Sequence, residues 1–380
     1  MSKTKEISDP IQALPFWISL AFVPLVLMAI AVGGAAVWIV PAVTLGLYSV
    51  LDVVGGFNTA NADPDTPTDR LFWYRLITLI WLPLQMLIVF SALYAATNSG
   101  GFTTLERFIL MLGVGMITGA VGIVYAHELM HQSNRLERNL GDGLMAMALY
   151  GHFRSEHLLV HHLYVGTPRD PVTARYNEGF HRFFPRVLIG CFRSAWRAER
   201  AMLARKGAGV WHHSNPFFRY AGLAGAMLLI AAMVGGWAGI GFFVFQALIA
   251  VWYLELVNYV EHYGLVRKHL GDGAYEHVKP HHSWNDSHMV TSWLLANLQR
   301  HSDHHVKPSR RFPLLQHIGP QEAPQLPVGY IGMTALAMMP PLWRRVMNPR
   351  VRKWRAMYYP EITDWKPYKE ATNPMPQRAP

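Results

Sequence analysis

Cysteine is nearly absent from the 380-residue chain, which holds only Cys191. That excludes an intrachain disulfide, a Cys-x-x-Cys metal knuckle and an iron-sulfur or rubredoxin-type centre of the chain's own. Any such redox centre has to sit on another chain, and Cys191 itself reads as a small buried or interfacial residue. Charge is sparse as well. Only 15% of residues are charged and 51% are hydrophobic, whereas soluble domains carry roughly a quarter charged residues. The sequence pI of about 9.7 suggests nucleic acid at first sight, but no nucleic-acid-binding motif accompanies it.

Long apolar runs are present instead. Six lie near residues 15–31, 35–51, 72–96, 105–126, 217–234 and 238–258, each near the roughly 20 apolar residues that a membrane-crossing helix needs. The apolar sequence continues past Gly33 and Gly34 into the second run with no cleavage site between, so the first reads as a span rather than a signal peptide. The links at 32–34, 97–104 and 235–237 have no Lys or Arg, while 128–215 holds twelve, all Arg except Lys206. By the bias of basic residues toward the cytoplasm, the large loop and both termini face that side of a cell's inner membrane.

The expected fold is therefore all-α, an integral-membrane bundle of six transmembrane helices under a cytoplasmic histidine-rich cap built from 127–215 and 262–366. Residues 1–366 form one domain and 367–380, Pro-rich at their end, read as a disordered tail. The stretch Asn58 to Asp69 reads as a loop. The short apolar segment near 328–342, broken by Pro340 and Pro341, reads as interfacial or packed rather than spanning.

The chain's 19 histidines cluster at the cytoplasmic ends of these runs. His127 and His131 stand four apart, which on a helix places both rings on one face, able to share a metal. Glu156-His157-Leu-Leu-Val-His161-His162 repeats that spacing and adds an adjacent ring. Neighbours on a helix diverge by about 100°, so His161 and His162 can reach two different metals. His301-Ser-Asp-His304-His305 has the same form, and His262 closes the sixth run.

Nine ligands exceed what one ion uses, so two metals are the economical reading. A nitrogen-only set allows iron, zinc, copper or nickel. Glu128, Glu156, Glu261 and Asp303, embedded in the same motifs, are placed to accept the outer ring N–H groups and fix each tautomer, with a direct ligand role open for one of them. An isolated histidine is usually structural, and that reading is given to His152, His181, His212, His213, His269, His277, His288 and His317. His281 and His282 are left out of the ligand set because the other groups already supply enough nitrogens. The nine themselves sit where ionisable residues are costly and presumptively functional.

These residues resemble the membrane-bound alkane 1-monooxygenases, within the integral-membrane fatty acid desaturases and hydroxylases. The likeness rests on His127 to His131, on Glu156 to His162 followed by Thr167-Pro-Arg-Asp-Pro171, on Asn258-Tyr-Val-Glu-His-Tyr-Gly-Leu265, and on Leu298-Gln-Arg-His-Ser-Asp-His-His305. It runs from about Tyr125 to Gln316. Met130 and Val160 stand where relatives often have glycine, and Gln132 where a lysine is common. The resemblance implies two non-haem irons held by His127, His131, His157, His161, His162, His262, His301, His304 and His305. It also implies dioxygen as co-substrate and electrons from a separate rubredoxin, reduced by an NAD(P)H-dependent reductase.

The implied reaction is insertion of one oxygen atom of dioxygen into the terminal C–H bond of n-alkanes, giving 1-alkanols. Alternatives are methyl hydroxylation of alkyl aromatics, as in xylene monooxygenase, and fatty-acyl hydroxylation or desaturation. The apolar substrate would enter from membrane lipid between spans lined by residues such as Leu47, Leu51, Phe72, Leu110, Met116 and Phe245. Arg300, Lys307, Arg310 and Arg311 are candidate donor-docking residues. An intramembrane zinc protease would use His127-Glu128-x-x-His131 with Glu128 as base but leaves the other seven histidines idle. A metal or haem transporter is disfavoured because no repeat is visible and the clusters lie at span ends.

Overall fold

The structure, a computed structural model, describes residues 9–271, 273–366 and 368. The remaining residues, with most of the expected tail, lie outside that description. Among the described residues, five helices are long and apolar enough to cross a membrane: α1 Pro10–Val32, α2 Gly34–Gly55, α3 Thr68–Asn98, α4 Thr104–Met130 and a later helix, Pro216–His262. Local chemistry sets their ends. Asp9 accepts the Ile11 N–H at 2.8 Å at the start of α1, and Thr103 and Glu106 exchange reciprocal bonds with each other's backbone N–H at the start of α4, satisfying donors that the first turn leaves open. Gly33, with φ +67°, supplies the left-handed residue between α1 and α2.

After α4 come α5 Arg135–Met147, the helical segment 153–164, called α6, α7 Phe180–Arg205 and α8 Pro216–His262. At 47 residues, α8 is far longer than one crossing needs, and its backbone leaves helical geometry at Gly235 and Gly236. Phe184 and Phe192 of α7 lie about 12 Å apart along that helix. They nevertheless touch Trp252 and Phe217 of α8, which a straight helix would hold about 52 Å apart. The chain therefore doubles back at the two glycines, and the two legs coincide with the fifth and sixth apolar runs.

α4 is the central helix, with most of its length buried. Its glycines let α8 approach closely: a Cβ on Gly115 would lie 2.7 Å from the Gln246 carbonyl. Polar side chains of three helices pin one another, and the backbone of a fourth, in the apolar interior. Gln85 Nε2 donates to Thr118 Oγ1 at 2.8 Å, Thr118 Oγ1 to Gln246 Oε1 at 3.0 Å, and Gln246 Nε2 to the Met147 carbonyl at 2.7 Å. Such bonds are worth about 0.6 to 2 kcal/mol each in a bilayer.

The cap is completed by a small antiparallel ribbon, β1 His269–Gly271 with β2 Ala274–Tyr275, and by α9 Met289–Leu294, α10 His301–Val306, α11 Tyr330–Ala337 and α12 Pro340–Tyr358. The segment near 328–342 thus packs as two helices, with Met333 and Trp343 fully buried. Asp52 of α2 ties α9 down by accepting the Thr291 N–H at 2.7 Å and the Thr291 hydroxyl.

Candidate metal centre and its cavity

His127 lies in the last turn of α4 and His131 caps its end, His157, His161 and His162 lie on α6, His262 ends α8, and α10 carries the other three. Their ring nitrogens form two groups, each within 4.8 Å: His127, His131, His157, His162 and His304 in one, and His161, His262, His301 and His305 in the other. In the first, His157 Nε2 lies 2.9 Å from His127 Nε2, 3.0 Å from His131 Nε2 and 3.0 Å from His162 Nε2. In the second, His301 Nε2 lies 3.1 Å from His262 Nε2 and 3.0 Å from His305 Nε2.

One imidazole nitrogen holds one proton or one lone pair, so His157 Nε2 cannot satisfy three such neighbours by hydrogen bonds. The separations match neighbouring ligands about 2.1 Å from a shared cation. His161 Nε2 and His304 Nε2 are buried without a hydrogen-bond partner among the described residues, which fits the same reading. Burial, with repulsion between the rings, holds His157, His162, His301, His304 and His305 well below the usual imidazole value, and His131 is pushed down to about 3. Neutral rings keep their lone pairs for a metal.

The four-residue spacing holds for His127 with His131 and for His301 with His305. It does not for His157 and His161, which fall in different groups. Residues 157–161 form a π-helical turn, and this wider turn brings His157 to His162, five residues on.

The embedded acidic residues are placed unequally. Glu261 Oε2 lies 3.3 Å from His301 Nε2, on the side where that ring's neighbours converge, and its other oxygen accepts the Tyr330 hydroxyl at 2.8 Å. Glu128 accepts the Phe312 N–H at 3.2 Å and Gln132 Nε2 at 3.1 Å. Asp303 takes Arg310 at 2.5 Å. Glu156 is fully buried with neither oxygen partnered among the described residues, and burial pushes its carboxyl up. The carboxylate that holds the outer nitrogen of one of these nine rings is Asp170, which accepts His161 Nδ1–H at 3.1 Å, the Thr173 hydroxyl at 2.7 Å and the Val172 N–H at 3.0 Å. Its position in Thr167-Pro-Arg-Asp-Pro171, just after the second histidine group, is the signal that sequence reasoning passed over.

An apolar cavity opens against His127, His157, His301 and Glu261, walled by Leu45 of α2, Ala120 and Ile123 of α4, Leu254 and Val257 of α8, and Leu294 of α9. Leu45 is also 44% exposed on the outer surface of a spanning helix. None of the residues first suggested as substrate lining borders this cavity. Leu47 and Phe72 face outward, and Leu110 and Met116 are buried in packing.

Three of the four suggested docking residues are used internally. Arg300 is buried and donates to the carbonyls of Leu315, Ala60 and Asn58. Arg310 pairs with Asp303, and Arg311 with Glu137 at 3.1 Å. His281 and His282 form a third compact group with Glu276, but the Lys279 N–H donates to His282 Nδ1 at 2.9 Å. The proton of a neutral His282 then sits on Nε2, 2.7 Å from the Tyr359 hydroxyl, so this group reads as a hydrogen-bond network. The other eight histidines join no group of three or more potential ligands among the described residues.

The fatty acid desaturase family model matches residues 105–337. The chain is 38% identical to alkane 1-monooxygenase 2 of Pseudomonas aeruginosa, over 86% of this chain and 87% of the relative. It is 40% identical to alkane 1-monooxygenase 1 of the same organism, over 82% of each. The xylene/toluene monooxygenase hydroxylase component of Pseudomonas putida is 29% identical over 86% of this chain and 85% of the relative.

Proposed function

This chain belongs to the alkane 1-monooxygenases of the fatty acid desaturase family, and on that premise we propose that it hydroxylates the terminal carbon of n-alkanes with dioxygen at a di-iron centre. The observation that carries the proposal is the pair of converging imidazole groups opening onto an apolar cavity. His127, His131, His157, His162 and His304 would hold one iron, and His161, His262, His301 and His305 the other. Five nitrogens exceed the four-coordinate habit of structural zinc. Iron bound there would activate dioxygen and supply the oxidising power that an unactivated C–H bond demands, which no side-chain base can provide.

The rest is the work of the chain's own residues. The walls of the cavity exclude water and hold a hydrocarbon by burial alone, so chain length is sensed by space. The opening beside Leu45 gives a lateral path from lipid. Glu261, between His301 and the cavity and held by Tyr330, is the only carboxylate among the described residues that borders the cavity, placed to hold a proton or a metal beside the substrate. The zinc-protease reading loses support because Glu128 is bonded to Phe312 and Gln132 rather than free to act as a base.

In this reading the chain crosses the inner membrane six times with both termini cytoplasmic, and electrons come from a separate rubredoxin and its NAD(P)H-dependent reductase. The test is metal content of detergent-purified protein, followed by octane hydroxylation with rubredoxin, reductase and dioxygen. Two irons per chain with 1-octanol formed is the expected result. Zinc in place of iron would overturn the proposal, and iron with benzylic alcohols from xylene but no octanol would move the substrate to alkyl aromatics.

A further inference from the structure

Monooxygenation consumes two electrons, and the chain carries no redox group of its own beyond the proposed irons, its single Cys191 being buried. The donor has to dock, and the basic residues first suggested for that are mostly spent inside the cap. A different basic surface remains. A cavity of about 600 Å³ lies between the loop at 166–175 and α7, bordered by Arg169, Arg175, Arg186, Arg193 and Arg197.

Of these, Arg186 is matched by Glu178 at 2.8 Å. Arg193 and Arg197, one turn apart and both exposed on α7, form no ion pair or hydrogen bond among the described residues. Among the described residues the only acidic one bordering the cavity is Asp170, already saturated by His161, Thr173 and Val172. Positive charge is thus concentrated in a concave site, where field lines focus and steer an anionic partner. Its floor is one hydrogen bond from a proposed iron ligand, through Asp170 and His161.

We infer that this Arg-lined basin is the docking site of a separate electron-carrier protein with an acidic face, with Asp170 and His161 as a hydrogen-bonded route from the basin to the metal centre. The inference rests on the oxygenase reading above. An encounter of this kind needs only a small, salt-sensitive interface.

The test uses the full chain in nanodiscs of neutral phosphatidylcholine, with a purified rubredoxin of net negative charge as probe, at roughly 20 mM and roughly 200 mM salt. Binding by interferometry should weaken about tenfold or more in Arg193→Glu/Arg197→Glu at low salt. Arg205→Glu/Lys206→Glu, at the far end of α7, should bind like wild type. Added salt should weaken wild type far more than the first variant.

Unchanged binding in Arg193→Glu/Arg197→Glu, or no binding by wild type at low salt, would overturn the inference. So would a variant that loses only affinity for phosphatidylglycerol vesicles, which would assign the basin to anionic lipid. Octane turnover on the same samples separates the two readings. Binding through the basin by protein that holds zinc in place of iron and oxidises neither octane nor xylene would sink the oxygenase reading and leave the docking face. Octanol formed by the charge-reversed variant with an unchanged KM for rubredoxin would do the opposite.

Discussion

His157 and His162 meet Nε2 to Nε2 at 3.0 Å across a π-helical turn, while His161, beside His162 in sequence, turns to the other imidazole group. Replacing adjacent residues should therefore empty different sites. His162→Ala and His161→Ala should each retain about half of the wild-type iron, because metal held by the remaining group does not depend on the lost ring. Iron analysis with Mössbauer spectroscopy should show distinct residual signals. Identical spectra from the two variants would contradict the division.

Asp170→Asn keeps the side chain's shape but removes the carboxylate that holds His161 Nδ1–H. The expected result is about a 10- to 100-fold loss of affinity for one iron, read by chelator competition, with the other iron unaffected.

Much of this centre was legible because helical spacing is local: His127 with His131 and His301 with His305 follow from residues four apart, and the divergence of His161 from His162 follows from adjacency. What escaped depended on tertiary placement. The π-turn that pairs His157 with His162 has no marker in its own five residues. Asp170 reaches His161 only because the loop after α6 folds back. Arg300, Arg310 and Arg311 look like surface charge until Asp303, Glu137 and the carbonyls of a distant loop are seen around them. The apolar runs were plain from composition, whereas the cavity they enclose was not. Leu47 and Leu45 are equally apolar, and only packing decides which one borders it.

Tyr330→Phe should lower kcat by about fivefold through loss of one hydrogen bond to Glu261, with iron content unchanged. Glu261→Gln should cost about a hundredfold or more if the carboxylate handles a proton. Single-turnover rates in iron-loaded protein distinguish this from a folding defect. Wild-type rates in both variants would remove Glu261 from the chemistry.

Ala120→Phe adds a ring to the cavity wall without adding a polar group. Turnover of long alkanes should fall while that of short ones is retained, measured as the ratio of 1-alkanols formed from mixed substrates. An unchanged product ratio would show that the alkane lies elsewhere.

Glu276 stays ionised to unusually low pH: burial opposes this, but hydrogen bonds from His282, Lys279 and Tyr359 outweigh it. A carboxyl depressed in the folded state contributes stability above the unfolded value of 4.5, and loses that contribution as pH falls toward its folded value. Glu276→Gln should therefore lower Tm at pH 7, and the gap to wild type should narrow below about pH 4.5. A gap independent of pH would mean that shape rather than charge holds the network.

Neither proposed iron site is encoded in one stretch of chain. One draws on residues from His127 to His304 and the other from His161 to His305. During synthesis, both remain incomplete until α10 has left the ribosome, by which point every spanning helix has already been made. At these proposed sites metal loading would thus be a late event in the protein's biogenesis, and a chain truncated before residue 304 would lack a ligand at each of them.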